Sequence, residues 1–302
     1  MSKKHIYFKR YYKLFAYTRQ NLNKDEILDK MLNDSELDLE TYSSRTFNRD
    51  LIDIEEIFGI SITFNRSKGV YETNSDSLDQ SKQNFLYAYE NMELIRQSDE
   101  NQRYIVLEDR QLTGVENSSV ILDALKQNLA LQFNYKSFTV ANFSKRLVHP
   151  LGLKQYKNRW YLMAVEVEDK EETIKSFGMD RLSNLALAKL KSVVHKDYDL
   201  RKEFQHIYGI QRVKGQQPQD IYLKLNSLAA KYLETLPLHK SQRVLERSEQ
   251  GVTFSFHVAI NTDLIKEISI LAKDIIEIKP QSLKEKVIEE LTQGLIHLKR
   301  NL

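Results

Sequence analysis

Between Ser43 and Tyr71 the spacing of apolar residues changes period once, and that change restricts what the stretch can become. Phe47, Leu51, Ile54 and Phe58 fall at i, i+4, i+7 and i+11, one stripe of a helix, with Ser43 or Ser44 as its cap and Gly59 as its stop. Ile60, Ile62 and Phe64 then alternate, Asn65 to Gly69 supply turn chemistry, and Val70 with Tyr71 resume an extended run. The stretch predicts a helix followed at once by a hairpin. Two helices precede it. Tyr7, Phe8, Tyr11, Tyr12, Leu14 and Phe15 keep helical spacing, and a second helix starts at Asn23, whose cap is supported by Glu26 three positions on.

Three helices and a hairpin are the parts of a winged helix-turn-helix. The third helix presents Ser44, Arg45, Thr46, Asn48 and Arg49 away from its apolar stripe, and these residue types reach base edges and phosphates. Arg66 and Lys68 sit at the hairpin tip, where a wing would touch the backbone, and the first helix is basic. The competing reading is an ordinary solvated amphipathic helix. Net charge does not decide between them, because residues 1–75 hold 12 basic and 12 acidic residues. The acids crowd into 25–40 and 50–56, which leaves the cationic ends separate.

The chain of 302 residues has room for two or three domains. Asn74 to Gln83 reads as a linker, and Phe85 to Ile95 with Leu122 to Leu129 as connecting helices. Leu131, Phe133 and Tyr135 alternate, Arg159 to Val167 is apolar on both faces, Glu168 to Glu171 is a charged turn, and Thr173 to Met179 returns as a strand. A small curved β-barrel absorbs these segments. The tail reads strand 221–225, helix 227–233, strands 243–247 and 252–260, helix 263–271, strand 275–278 and a closing helix 283–298, the split βαβ pattern of ferredoxin-like folds with one extra helix. The expectation is an α+β multidomain chain: a winged helix over 1–75, a helical linker over 76–130, a barrel over 131–200 and a ferredoxin-like module over 201–302.

Cysteine is absent, which removes disulfides and thiolate chemistry, and the seven histidines are scattered with no H-x-x-x-H pair. No phosphate-cradling glycine loop and no G-x-S-x-G occurs. These absences argue against an enzyme, a metal site or a cofactor. No apolar run reaches membrane length and the start lacks a signal-peptide core, so a cytoplasmic protein is expected. The formal net charge is only +3, yet Ala124 to Val165 contains no acid while holding Lys126, Lys136, Lys145, Arg146, Lys154, Lys157 and Arg159. With 42 acids in 302 residues, such a window has a probability of about 0.002 before allowing for its choice. A cationic site on a small barrel suits an anionic ligand, with His149, Tyr135 and Trp160 available for hydrogen bonds or stacking. A solvated basic face and a direct DNA contact surface are the alternatives. The only tryptophan, Trp160, is more simply core packing than a ligand platform.

Arg146-Leu147-Val148-His149-Pro150, then Arg159-Trp160-Tyr161-Leu162-Met163-Ala164, then Lys175-Ser176-Phe177-Gly178-Met179-Asp180-Arg181-Leu182 resemble the successive signatures of a WYL domain. Ser44 to Leu51 resembles the recognition-helix phrase of winged helices that precede such domains. Leu236-Pro237-Leu238-His239 and Ile276 to Pro280 are similar to the C-terminal extension of WYL regulators. The resemblance implies an Sm-like barrel in a ligand-responsive, dimeric bacterial transcription regulator, closest in architecture to BrxR/CapW-type repressors of phage-defence loci. Carried over by motif, the ligand-channel residues are Arg146, His149, Lys175, Phe177 and Arg181. Lys175 stands where relatives usually show an arginine, and it lacks the bidentate fork. Tyr135 or Phe177 would stack on a base.

The sequence therefore predicts a homodimeric, DNA-binding repressor that reads an inverted-repeat operator, with a nucleotide or oligonucleotide effector. An activator of a DNA-damage type response is the rival among regulators. A single-strand-binding accessory module that tunes an enzyme is the rival from another class.

Overall fold

The computed structural model describes residues 3–73, 88, 91–92, 113–138, 142–194, 198–212 and 215–300. The expected linker 74–83, and the expected helix 85–95 apart from residues 88, 91 and 92, lie outside the described residues. Two compact units emerge, Met1–Asp109 and Arg110–Leu302.

In the first unit, α1 (Lys3–Thr18), α2 (Lys24–Asn33) and α3 (Ser44–Phe58) precede the antiparallel hairpin β1 (Ile62–Asn65) and β2 (Val70–Thr73). The start and stop chemistry works as written in the sequence. Asn23 and Glu26 exchange hydrogen bonds at the head of α2, with Glu26 N donating to Asn23 Oδ1 at 3.0 Å and Asn23 N to Glu26 Oε2 at 2.8 Å. Ser43 is the cap of α3, accepting from Thr46 N at 3.2 Å. Gly59 ends that helix at φ 62°, in the left-handed region that glycine enters without a Cβ penalty. Asn65 Oδ1 accepts from the N–H groups of Ser67 and Lys68 and closes the hairpin turn.

The core of this unit joins Leu14 and Phe15 of α1, Ile27 and Met31 of α2, Phe47 and Ile54 of α3, Ile60 of the link after α3, and Ile62 of β1. One ion pair is sealed inside it. Arg10 Nε and Nη2 donate to the two carboxylate oxygens of Asp50, both at 2.7 Å, and Tyr42 OH adds a third hydrogen bond at 2.9 Å. Asp50 is 0% and Arg10 7% exposed. Burial and the neighbouring Asp50 charge push the Tyr42 hydroxyl well above its ordinary range.

The second unit opens with α4 (Ser118–Gln127) and a five-stranded antiparallel sheet. Its strands are β3 (Leu129–Tyr135), β4 (Ser144–Tyr156), β5 (Arg159–Glu166), β6 (Lys175–Gly178) and β7 (Leu182–Lys191), in the order β6-β5-β4-β3-β7. The sequence reading had β3, β5 and β6 but neither β4 nor β7. Its strand 173–179 is shorter here, because Met179 to Arg181 turn as a 3₁₀ helix. Register shifts at Leu129/Leu131, Gln132/Asn134 and Pro150/Gly152 bend the sheet. Leu131, Phe133, Val148, Leu162, Phe177 and Met179 fill its inner face, joined by Ile121 and Ala124 of α4. Trp160 packs partly buried against that core.

A short helix, α5 (Leu200–Glu203), leads to β8 (Gln219–Leu225), α6 (Ser227–Thr235), β9 (Arg243–Ser248), β10 (Gly251–Val258), α7 (Thr262–Ile270), β11 (Ile275–Lys279) and α8 (Gln281–Arg300). The four strands pair antiparallel in the order β11-β8-β10-β9 over a core that includes Leu223, Phe254, Leu264, Ile268 and Leu283. Among the described residues no helix is long and apolar enough to cross a membrane.

His239, in the loop after α6, links this fold to pH. Its Nδ1 faces the Ser241 hydroxyl at 2.8 Å and accepts from Ser241 N at 3.2 Å. Burial drives its pKa down to about 4, with Lys240, His206 and Lys154 pushing the same way and the Gln205 carbonyl opposing. The folded pKa lies below the ordinary 6.5 of the unfolded chain, so acid favours the unfolded state. The stabilisation is complete above about pH 6.5 and is lost as pH falls towards 4. Thermal melts from pH 7 to pH 4 should show a steeper decline for the wild type than for His239→Gln. Parallel declines would refute this role for the ring.

Candidate nucleic-acid interface and ligand pocket

The capped start of α3 sets out its polar residues on one side. Ser44, Arg45, Asn48 and Arg49 are exposed while Phe47, Asp50 and Ile54 of the same helix are buried. Thr46 is half-buried, and its hydroxyl lies 3.0 Å from Ser43 Oγ, so it serves the cap. At the hairpin tip Arg66 and Lys68 are exposed, with Lys68 Nζ 2.7 Å from Glu72 Oε1.

The basic residues of α1 contribute differently from the sequence expectation. Lys9 pairs with Glu36 at 3.1 Å, Lys13 with Asp34 at 3.1 Å and Glu36 at 3.2 Å, and Arg10 with buried Asp50. Lys9, Arg10 and Lys13 therefore hold the first unit together and leave little charge for a ligand. Burial alone would raise the Asp34 carboxyl, but hydrogen bonds from Tyr17, the Glu36 backbone and Lys13 hold it below the usual range.

In the second unit, Tyr135, Arg146, Lys175 and Phe177 line one cavity of about 440 Å³. Glu166 lines it too. Arg146 Nη1 donates to Glu166 Oε1 at 2.5 Å, and Lys175 Nζ pairs with the other oxygen. Burial works to raise the Glu166 carboxyl, and the two cationic partners outweigh it, so the carboxylate stays ionised below its usual range. Arg146 and Glu166 also border a second cavity of about 520 Å³ with Gln132, Lys145 and Asn184. The acid-free window ends at Val165, so the pocket's counter-ion is the first residue outside it.

His149 does not join this group. It pairs in register with Val165 whereas Arg146 faces Phe133, and residues an odd number apart on a regular strand point to opposite faces. The ring is buried, its Nδ1 has no hydrogen-bond partner, and burial lowers its pKa. Arg181 lies outside the cavity lining, its guanidinium 5.0 Å from the Tyr135 ring and 4.1 Å from that of Phe138. Tyr135 and Phe177 are both buried, with ring centroids 5.1 Å apart and edge to face, so their broad faces are already used in packing.

Two exposed aromatics stand among the cations and have no part in the sequence expectation: Phe143, 59% exposed with Lys136 Nζ 5.8 Å from its ring, and Phe138. Phe138 is 76% exposed, and Arg159 stands 5.8 Å from its ring on the guanidinium carbon. Its signal was an aromatic residue two positions after Lys136, flanked by Ser137 and Thr139 in the β3–β4 connection. Among the described residues no three His, Asp or Glu side chains are placed to hold a metal ion.

Comparison with known proteins adds one assignment. The family called WYL domain matches residues 116–187, which run from just before α4 into β7. No curated protein matches the chain. Among the solved structures that resemble it are two at low identity. One is proteasome accessory factor B/C (PafBC) of Arthrobacter aurescens, with 16% identity, a TM-score of 0.36, and 94% of this chain against 46% of that one. The other, described as a CRISPR Cas-related protein, has 15% identity, a TM-score of 0.40, and covers 98% of this chain and 85% of that one. The chain thus spans less than half the length of the PafBC chain. The cations Arg146 and Lys175 and their shared carboxylate Glu166 lie on one bent antiparallel sheet, Phe138 lies in the connection between β3 and β4, and residues 116–187, which span these elements, match the WYL domain family.

Proposed function

We propose that this protein is a DNA-binding transcription regulator whose WYL domain senses an anionic ligand. The observation that carries the reading is the two-sided character of α3, where Ser44, Arg45, Asn48 and Arg49 are exposed opposite a stripe with Phe47 and Ile54 fully buried. In this reading α1 to α3 with the β1–β2 hairpin are a winged helix-turn-helix, α3 is the recognition helix, and Arg66 and Lys68 are wing contacts. The five-stranded sheet is an Sm-like barrel, and the β8–β11 module, with strand order β11-β8-β10-β9, is a ferredoxin-like extension that joins two copies. A two-fold assembly suits one short half-site per recognition helix, so the reading is a homodimeric repressor on an inverted repeat, serving a phage-defence locus. No catalytic role, metal or cofactor is proposed.

The ligand is proposed to carry phosphate. Arg146 and Lys175 share Glu166 as an internal counter-ion, and a phosphate entering the cavity would compete with that carboxylate for both cations. Phe138, 76% exposed beside the guanidinium groups of Arg181 and Arg159, favours a single-stranded nucleic acid over inorganic phosphate, because an exposed ring among cations offers a base a stacking surface. The test uses a duplex enriched from a random pool, titrated with single-stranded oligonucleotide. Arg146→Ala and Arg181→Ala should keep duplex affinity and abolish the change that the oligonucleotide causes. Equal losses of duplex and oligonucleotide binding would mean the same cations touch operator phosphates, and the sensing role would fall.

A further inference from the structure

We infer that Ile52 reads the 5-methyl group of a thymine in the duplex that α3 addresses. This inference rests on the DNA-binding reading of α3. Ile52 is 57% exposed and lies off the buried stripe that holds Phe47 and Ile54. Its direction is fixed by helix geometry. At about 100° per residue, Ile52 projects roughly 20° from Arg45 and between Asn48 and Arg49 around the axis. At about 1.5 Å per residue it lies roughly 10 Å beyond Arg45, the height of about three base-pair steps.

The charges along this face say where contact with DNA ends. Arg45, Asn48 and Arg49 occupy its first half, and Glu55 and Glu56, both exposed, follow Ile52. Those carboxylates repel phosphates, so Ile52 stands at the far border of the DNA-facing section. The thymine methyl is the apolar group that base pairs offer in the major groove, and an aliphatic side chain is its natural counterpart. Ile57 is also exposed, at 53%, but it projects about 140° from Ile52 and belongs to another side of the helix. The two isoleucines therefore do not form one apolar patch for a protein partner.

The experiment replaces each thymine of the enriched duplex with uracil, which lacks only that methyl, and measures binding by the full-length protein. One position per half-site should weaken about fourfold for the wild type, the worth of one buried methyl at about 0.8 kcal/mol. That position should lie about three base pairs from the one whose discrimination Arg45→Ala abolishes. Ile52→Ala should bind the thymine and uracil duplexes equally, while Ile52→Val keeps a preference. Ile52 is exposed, so these substitutions leave the core intact.

No uracil effect in the wild type, or an effect that survives in Ile52→Ala, would overturn the inference while leaving α3 as a reading helix. Indifference of the enriched duplex to Arg45→Ala would overturn the DNA-binding reading and the inference together. A protein partner covering Ile52 would appear as normal duplex recognition in Ile52→Ala with no thymine preference in the wild type, which also refutes it.

Discussion

Replacing Asp50 with alanine should cost the first unit about 3 to 5 kcal/mol, because it strands a buried guanidinium. Arg10 spends two donors on this carboxylate at 2.7 Å, and Tyr42 spends its hydroxyl at 2.9 Å. Removing the carboxylate leaves those groups in a core lined by Leu14, Phe47 and Ile54, where water cannot replace it. Arg10→Ala should be comparably harmful, since it leaves the Asp50 charge unpaired. Arg10→Met with Asp50→Leu should recover much of the loss, because burying an ion pair costs desolvation that apolar side chains avoid. Hydrogen exchange of the α3 amides in the full chain measures this locally. A loss below about 1 kcal/mol in Asp50→Ala would show that the pair is solvated in solution.

The second large effect concerns recognition. Arg45 and Asn48 lie on the exposed side of α3 in its first turns, and each should lose about 1 to 3 kcal/mol on the specific duplex when replaced by alanine. The loss should be selective, relaxing discrimination at particular base pairs. Arg66→Ala, at the exposed turn of the hairpin, should instead weaken all duplexes alike and flatten the salt dependence by about one unit. Lys68→Ala should do less than Arg66→Ala, because Lys68 is already paired with Glu72 at 2.7 Å. Binding isotherms at several salt concentrations separate these outcomes. Equal, sequence-independent losses in Arg45→Ala and Arg66→Ala would make both of them backbone contacts.

Elements with local signals were legible in the sequence. The α3 stripe, its serine cap and its glycine stop lie within 17 consecutive residues, and the Asn23–Glu26 box within four. The strands of the tail were found in order, with clean alternation in β8 and β10. What escaped depended on distant partners. Strand β4 runs from Ser144 to Tyr156 and is interrupted by His149, Pro150 and Gly152, so alternation breaks where the register shifts against β5. Strand β7 has no clean period because its pairing with β3 slips twice.

The same holds for the sites. Asp50 counted as one more acid in a crowded stretch, although a carboxylate three residues after Phe47 and four before Ile54, on the buried stripe, was a sign of a buried partner. That partner, Arg10, is 40 positions away. The acid-free window drew attention to Arg146, and by its definition it excluded Glu166, which pairs with Arg146 from the neighbouring strand. His149 shares a motif with Arg146, yet the alternation of a strand sends the two to opposite faces.

If α3 reads duplex DNA in sequence, selection of bound duplexes from a random pool shows it. The full-length protein should enrich an inverted repeat with half-sites about one helical turn, or a multiple of one turn, apart. Arg45→Ala, with its fold intact, should fail to enrich the same repeat. A wild-type pool that converges on no duplex sequence, or an Arg45→Ala pool that converges on the identical repeat with equal strength, would contradict the account.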